Sequence, residues 1–446
     1  MNIKTTLAAA ALLISCTLNT WAENILGIDG EESTSVGIYI KDLTTGDVLV
    51  DHNSQLALTP ASVMKAVTTA SALSINGPDR CFTTRVSLRG SKGAAGVWNG
   101  DLIVAGAADP TLESENFKSK LGFCDSIVAN LKRKGIKKIT GTVVVRQTLK
   151  DAGPILQWEI EDVAWPYGAG LYGFNYRDNT VTVYPNTGRI VPEAPGLKID
   201  VKKVANGSDL VRGVGSDRLI VYTRDTKNTR WAVSTTVPDP SAVFKAQLSG
   251  VMKRAGITMG TKAVGAGEET LLYAHRSMPF SDIMRSLMVR SDNLFAEGIL
   301  RSIAPEASRK EAINREKELW ATRGINTRYT IINDGSGLTR ANRLSAHFIG
   351  DVLEWMSRSE YARTYAGFFP RAGKEGTMRG FLAKTPLAGL VALKTGSVST
   401  VQCYAGYKFT DDGTPSHVIV ILVNGFFCPR KDVREAAENL LLDIFK

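Results

Sequence analysis

Apolar and polar positions alternate through Val36-Gly37-Ile38-Tyr39-Ile40, turn at Thr44-Thr45-Gly46-Asp47, and resume at Val48-Leu49-Val50, predicting a strand pair. Pro60 then opens a run of small and apolar residues to Leu73. This predicts a buried helix, since proline's missing N–H costs nothing in a first turn. From about Phe82 the pattern shortens to strands at Arg85–Leu88, Gly100–Val104 and Gly141–Val145, interrupted by a helix over about 116–134. Residues 148–227 read as strand and loop rich in Gly, Pro and Asn, and a strand and a helix near 240–255 close the section. Helical spacing returns at Ile283, Leu287, Met288, Phe295 and Ile299, and again over Leu344–Met356. Strands follow at Leu390–Lys394, Gln402–Phe409 and His417–Val423. Val433, Ala436, Ala437, Leu440, Leu441 and Ile444 then trace one face of a last helix. This order predicts an α/β (α+β) domain interrupted by an insertion rather than beads in a row.

Composition is ordinary for a globular chain: 446 residues, 43% hydrophobic and 22% charged, enough for a large core. The formal charge of +10 is spread thinly, and no basic stretch is interleaved with aromatics, which argues against nucleic acid. Lys4, the apolar run Leu7–Ile14 and the ending Thr20-Trp21-Ala22 have the layout of a secretory signal, too short to span a membrane. Leu13-Ile14-Ser15-Cys16 also resembles a lipobox. Two routes therefore stay open, cleavage near Ala22 or a lipid anchor at Cys16, and both place the mature chain outside the cytoplasm, as in a periplasm. Cys81, Cys124, Cys403 and Cys428 allow three disulfide connectivities, and sequence proximity favours 81–124 and 403–428. No Cys/His spacing suggests a metal, and no cofactor is expected.

Ser62 and Lys65, three apart in the predicted helix, lie on one face, so hydroxyl and amine can meet. Far downstream, Ser291-Asp292-Asn293 falls between two helical stretches and Lys394-Thr395-Gly396 ends an apolar strand. S-x-x-K, S-D-N and K-T-G together are the signature of penicillin-binding proteins and class A β-lactamases. A serine hydroxyl is a weak nucleophile until a base takes its proton. Lys65 can be that base if burial and a nearby cation, for which Lys394 is the candidate, lower its proton affinity.

On these motifs the chain resembles the low-molecular-mass penicillin-binding proteins with a large insert, the D-alanyl-D-alanine carboxypeptidase/endopeptidases of peptidase family S13. The likeness extends to Asp42-Leu43-Thr44-Thr45-Gly46, Gly106-Ala107-Ala108-Asp109-Pro110-Thr111-Leu112, Asp334-Gly335-Ser336-Gly337-Leu338 and Gly376-Thr377-Met378. It implies a penicillin-binding/β-lactamase-like transpeptidase domain, an antiparallel sheet flanked by helices, built from 24–80 and 268–446. An inserted α/β domain (81–147 and 228–267) would hold a nested strand-rich domain (148–227), after a signal peptide at 1–22. The implied substrates are peptidoglycan stem peptides, with β-lactams as inhibitors. Ser62 would be acylated and Lys65 the base, while Ser291 relays a proton to the leaving amine. Asn293 would hold Lys65 and the substrate amide, with Lys394 and Thr395 on the terminal carboxylate. Asp292 and Gly396 would line the substrate, and Ser397 with Ser62 would supply the oxyanion-hole N–H groups.

Two alternatives remain: a class A-like β-lactamase, disfavoured by the long gap between the first two motifs and by the lack of a Glu-x-x-x-Asn loop, and a non-catalytic β-lactam sensor or envelope scaffold. One departure from the family concerns Arg146 and Gln147, which stand where relatives often carry an Asp facing the stem peptide's amine. Either Arg146 turns away and Asp151, Glu159 or Asp162 takes over, or the preference for a cationic stem is relaxed.

Overall fold

A computed structural model describes residues 24–265 and 267–446; the signal segment 1–22, with Cys16 and both processing routes, lies outside the described residues. The chain begins with β1 (Ser35–Asp42), β2 (Val48–His52), α1 (Met64–Asn76), β3 (Thr83–Lys92), β4 (Val97–Ala105), α2 (Phe123–Arg133), β5 (Lys138–Ile139) and β6 (Val143–Arg146). Six short strands follow: β7 (Thr180–Tyr184), β8 (Arg189–Val191), β9 (Lys198–Lys203), β10 (Ser208–Val211), β11 (Arg218–Thr223) and β12 (Val233–Thr236). After α3 (Pro240–Arg254), β13 (Thr258–Met259) and β14 (Glu269–Arg276) come five helices: α4 (Phe280–Arg290), α5 (Asn293–Ser302), α6 (Arg309–Thr322), α7 (Ala346–Ser357) and α8 (Ala362–Ala366). The chain closes with β15 (Val391–Val398), β16 (Val401–Phe409), β17 (Pro415–Asn424) and α9 (Arg430–Ile444).

The two ends of the chain build one five-stranded antiparallel sheet, ordered β15-β16-β17-β1-β2. Its central strands β16, β17 and β1 are apolar on both faces, because side chains alternate and each face has its own cover. Tyr39, Val418, Val420 and Leu422 point into the core shared with α1, α4, α5 and α7. Ile38, Ile40, Ile419, Ile421 and Val423 point the other way, onto Val433, Ala437 and Leu441 of α9. Helix α1 is buried from Met64 to Leu73, which explains its lack of a polar stripe. Two of its hydroxyls bond back to the helix, Thr69 Oγ1 to Lys65 O and Ser71 Oγ to Val67 O, each at 2.8 Å.

Strands β3 to β6 join none of this. They form a second, six-stranded sheet, β13-β5-β4-β3-β14 with β6 on β4, whose core includes α2 and α3. Two smaller sheets, β12-β7-β8 and β10-β11-β9, sit within the same excursion. Three sequence expectations are corrected. Glu269–Arg276, placed in the catalytic part, pairs along β3, so the second sheet draws on residues past 267. Val233–Thr236, placed with the inserted α/β part, pairs with β7 of the nested part. The single helix over 116–134 is a 3₁₀ turn at Glu115–Lys120 followed by α2, separated by Gly122 in the left-handed region.

The disulfide expectation fails as well: all four cysteines are free thiols. Cys403 and Cys428 belong to cores on opposite faces of the five-stranded sheet. Cys124 packs in the second sheet's core with Sγ 3.4 Å from Tyr176 Oη, whereas Cys81 lies in the linker after α1 with Sγ 3.6 Å from Asp79 O.

Candidate active site

Ser62 sits in a 3₁₀ turn, Ala61–Val63, that runs straight into α1. Ala61, just before it, has φ 46°, a backbone region that costs a residue with a Cβ, and such strain concentrates at functional turns. The turn is clamped from two sides. A Cβ on Gly396 of β15 would lie 2.5 Å from Pro60 O and 3.1 Å from Ser62 N, and one on Gly337 would lie 1.8 Å from Ala61 O. Only glycine lets the K-T-G strand and the 334–338 loop press this closely on the nucleophile turn.

Lys65 lies one turn into the helix and is 0% exposed. Its Nζ donates to Ser62 Oγ (2.8 Å), Asn293 Oδ1 (2.6 Å) and Ser336 O (2.5 Å). Burial pulls its pKa down to about 8, against the opposing pull of Asp334, Asp292 and Glu297. Lys394 projects from β15 and donates to Ser291 Oγ (2.9 Å) and Thr395 O (2.7 Å). Burial, and then the Lys65 charge, hold it well below the usual amine range. Ser291 is the last residue of α4's cap at φ 62°, a left-handed position that aims its hydroxyl at Lys394. The S-D-N and K-T-G motifs thus meet through one hydrogen bond, and S-x-x-K meets S-D-N through another.

Ser62, Ser291 and Ser397 are common to two lobes of an open cleft, of about 480 and about 530 Å³. One lobe runs past Thr395, Thr377 and Tyr404 to Arg430 and Arg434 of α9. Thr395 Oγ1 donates to Thr377 Oγ1 at 2.9 Å, and Ser397 Oγ to Gln402 Oε1 at 2.7 Å. The other lobe is walled by Glu161, Asp162 and Tyr167 from the excursion, facing Asn293, Leu338 and Arg340.

Not every expected residue faces substrate space. Asp292 caps α5, accepting from Phe295 N at 2.9 Å, and, like Lys65, Lys394 and Gly396, lines neither lobe. Arg146 turns away and pairs with Glu269 of β14. Asp151 accepts from Arg309 N, and Glu159 pairs with Arg340 at 3.6 Å; of the three suggested acids only Asp162 lines the cleft. The sequence reading missed Tyr167, whose carbonyl accepts from Asn293 Nδ2 at 2.8 Å. A backbone acceptor carries no side-chain signature that could have pointed to it. Among the described residues no group of His, Cys, Asp and Glu could hold a metal.

The sequence model of the D-Ala-D-Ala carboxypeptidase 3 (S13) family matches residues 23–442. A D-alanyl-D-alanine carboxypeptidase of Actinomadura sp. (strain R39) is 26% identical over 430 residues, covering 87% of this chain and 78% of the relative. D-alanyl-D-alanine carboxypeptidase DacB of Haemophilus influenzae is also 26% identical, over 95% of this chain and 93% of its own. The crystal structure of penicillin binding protein 4 (dacB) from Haemophilus influenzae superposes with a TM-score of 0.80 at 24% identity, over 93% of this chain and 97% of that one, and shows the shared fold. The same protein complexed with a β-lactam gives a TM-score of 0.75. With the family match spanning nearly all of its length, this chain belongs to the D-Ala-D-Ala carboxypeptidase 3 (S13) family and is a hydrolase of that kind.

Proposed function

We propose that the enzyme cleaves the terminal D-Ala-D-Ala bond of peptidoglycan stem peptides outside the cytoplasm, through an acyl-enzyme on Ser62, and that β-lactams trap it there. The observation that carries this reading is the contact between Lys65 Nζ and Ser62 Oγ at 2.8 Å, with Ser62 and Ser291 lining one cleft and the buried Lys394 hydrogen-bonded to Ser291 behind its wall. Neutral Lys65 takes the Ser62 hydroxyl proton as Oγ bonds to the carbonyl carbon. The N–H groups of Ser62 and Ser397 receive the developing oxyanion. When the amide C–N bond breaks, the proton passes by way of Ser291 to the leaving D-alanine nitrogen. Water then hydrolyses the ester and restores the serine. Thr395 and the cationic side chains of α9, which line the cleft, and Lys394, buried behind Ser291, suit the substrate's free carboxylate. The sheet shared by the chain ends is, in this reading, the catalytic unit. The excursion from β3 to β14 is the insert, with the nested strands β7 to β12 inside it.

Incubation with a labelled penicillin, followed by peptide mapping, tests the assignment. Label is expected at Ser62, and D-alanine should be released from a stem pentapeptide. Label that survives Ser62→Ala would remove the nucleophile.

A further inference from the structure

Beneath Lys65, on the side away from the cleft, lies a carboxylate that the reaction above does not use. Glu297 stands one turn along α5 from Asn293 and is 1% exposed. Its Oε1 accepts from Gly335 N at 3.0 Å and from Ser336 N at 2.9 Å, while Oε2 is buried without a partner. Ser336, held in this way by its N–H, is the residue whose carbonyl, one peptide further on, receives Lys65 Nζ. The loop is pinned on its other sides too. Thr68 Oγ1 donates to Gly335 O at 2.8 Å, and Asp334 accepts from Gly337 N and Asn342 Nδ2. A Cβ on Gly335 would lie 2.8 Å from Leu300 Cβ, so only glycine lets the loop press this closely on α5.

We propose that Glu297 is a positioning residue for acylation: it fixes the N–H groups of Gly335 and Ser336 from below, and Ser336, so placed, turns its carbonyl to hold Lys65 against Ser62. Glu297 also acts on charge. The titratable and charged groups around it are Lys65 on α1, Asp334 in the loop, Arg309 and Glu316 on α6, and Asp292 and Arg301 on its own helix. Burial, and then Asp334, push Glu297 up to about 7, and burial pushes Glu316 up to about 8. Ionised Glu297 favours the Lys65 cation, so the two titrate as a coupled pair.

The inference rests on Ser62 being the nucleophile, and the test separates the two. Acylation by a labelled penicillin is followed across the neutral to alkaline range in wild type, Glu297→Leu and Glu297→Gln, with thermal melts of each. Glu297→Leu leaves two buried N–H groups unmet and should acylate on the order of 10- to 100-fold more slowly. Glu297→Gln still offers an oxygen to both groups and should restore the plateau rate to within about threefold. Its acid limb should move to lower pH, because the Lys65 cation loses an adjacent anion. A merely structural role would leave that limb in place. Should Glu297→Leu fail to fold, the limb of Glu297→Gln decides alone. A Leu variant that acylates like wild type, or a Gln variant with an unmoved limb, overturns the proposal. Absence of label on wild-type Ser62 would sink the nucleophile reading itself.

Discussion

Lys65 and Lys394 are both buried amines behind the wall of one cleft, yet their partners give them different work. Lys65 spends its donors on the nucleophile, Asn293 and a fixed carbonyl, whereas Lys394 holds Ser291 and its own strand. An arriving carboxylate would offset, by its own charge, the burial and the Lys65 repulsion that depress Lys394, so binding of a free acid should favour its cation. Lys394→Ala should therefore slow acylation by a ligand with a free terminal carboxylate far more than by its amidated counterpart, by about tenfold or more in kcat/KM. Equal losses would refute the division of roles. In wild type the rate should rise with pH through about 8, since Lys65 is a base only when neutral, and the apparent value belongs to the coupled lysines. At this scale the sequence was most informative, because the chemistry resides in side-chain identity. Asp292 is the exception: S-D-N names its residue type, but only the chain's path shows its carboxylate spent on a helix cap.

Element by element, strands apolar on both faces and the striped α9 were legible from pattern alone. Helix α6 was not, since its exposed face is crowded with charge and only Ala312, Ile313, Glu316 and Trp320 are buried. Its capping box, Ser308 with Glu311, was the available sign. Strand β14 was misplaced because it is a mostly exposed edge strand following a glycine-rich stretch. Its Glu269 pairs with Arg146 of β6, which settles where that arginine points. The cleft wall beside Asn293 carries Asp162 and Glu161 instead, with Asp162 hydrogen-bonded to Tyr167 Oη at 3.0 Å. Stem peptides with a free side-chain amine should accordingly be hydrolysed faster than amine-blocked ones, and Arg146→Asp should leave that preference unchanged. Asp162→Asn should reduce it several-fold, on the order of one exposed charge pair. A preference that follows Arg146 and ignores Asp162 would reverse the assignment.

Across the whole molecule, the excursion between β3 and β14 reads in sequence as a self-contained addition, because the three catalytic motifs lie outside it. Contacts made by its segment 150–168 argue otherwise. Lys150 O accepts from the buried Arg301 guanidinium, and Gln157 O accepts from Thr339 Oγ1. Trp158 Nε1 donates to Asp334 Oδ2 at 2.9 Å, and Tyr167 O orients the Asn293 amide so that its oxygen faces Lys65. This strap thus touches both the loop under Lys65 and the residue beside it. Ile155 and Trp158 pack with Leu338 in a small cluster separate from the three larger cores. Loosening it should therefore disturb the site before it disturbs the fold. Trp158→Ala is expected to slow penicillin acylation of Ser62 by about tenfold or more while lowering the melting temperature by only a few degrees. Leu156→Ala, at a neighbouring side chain that is 84% exposed, should change neither. If Trp158→Ala acylates at the wild-type rate, the strap is only a covering and the catalytic unit positions its own lysine without help from the insert.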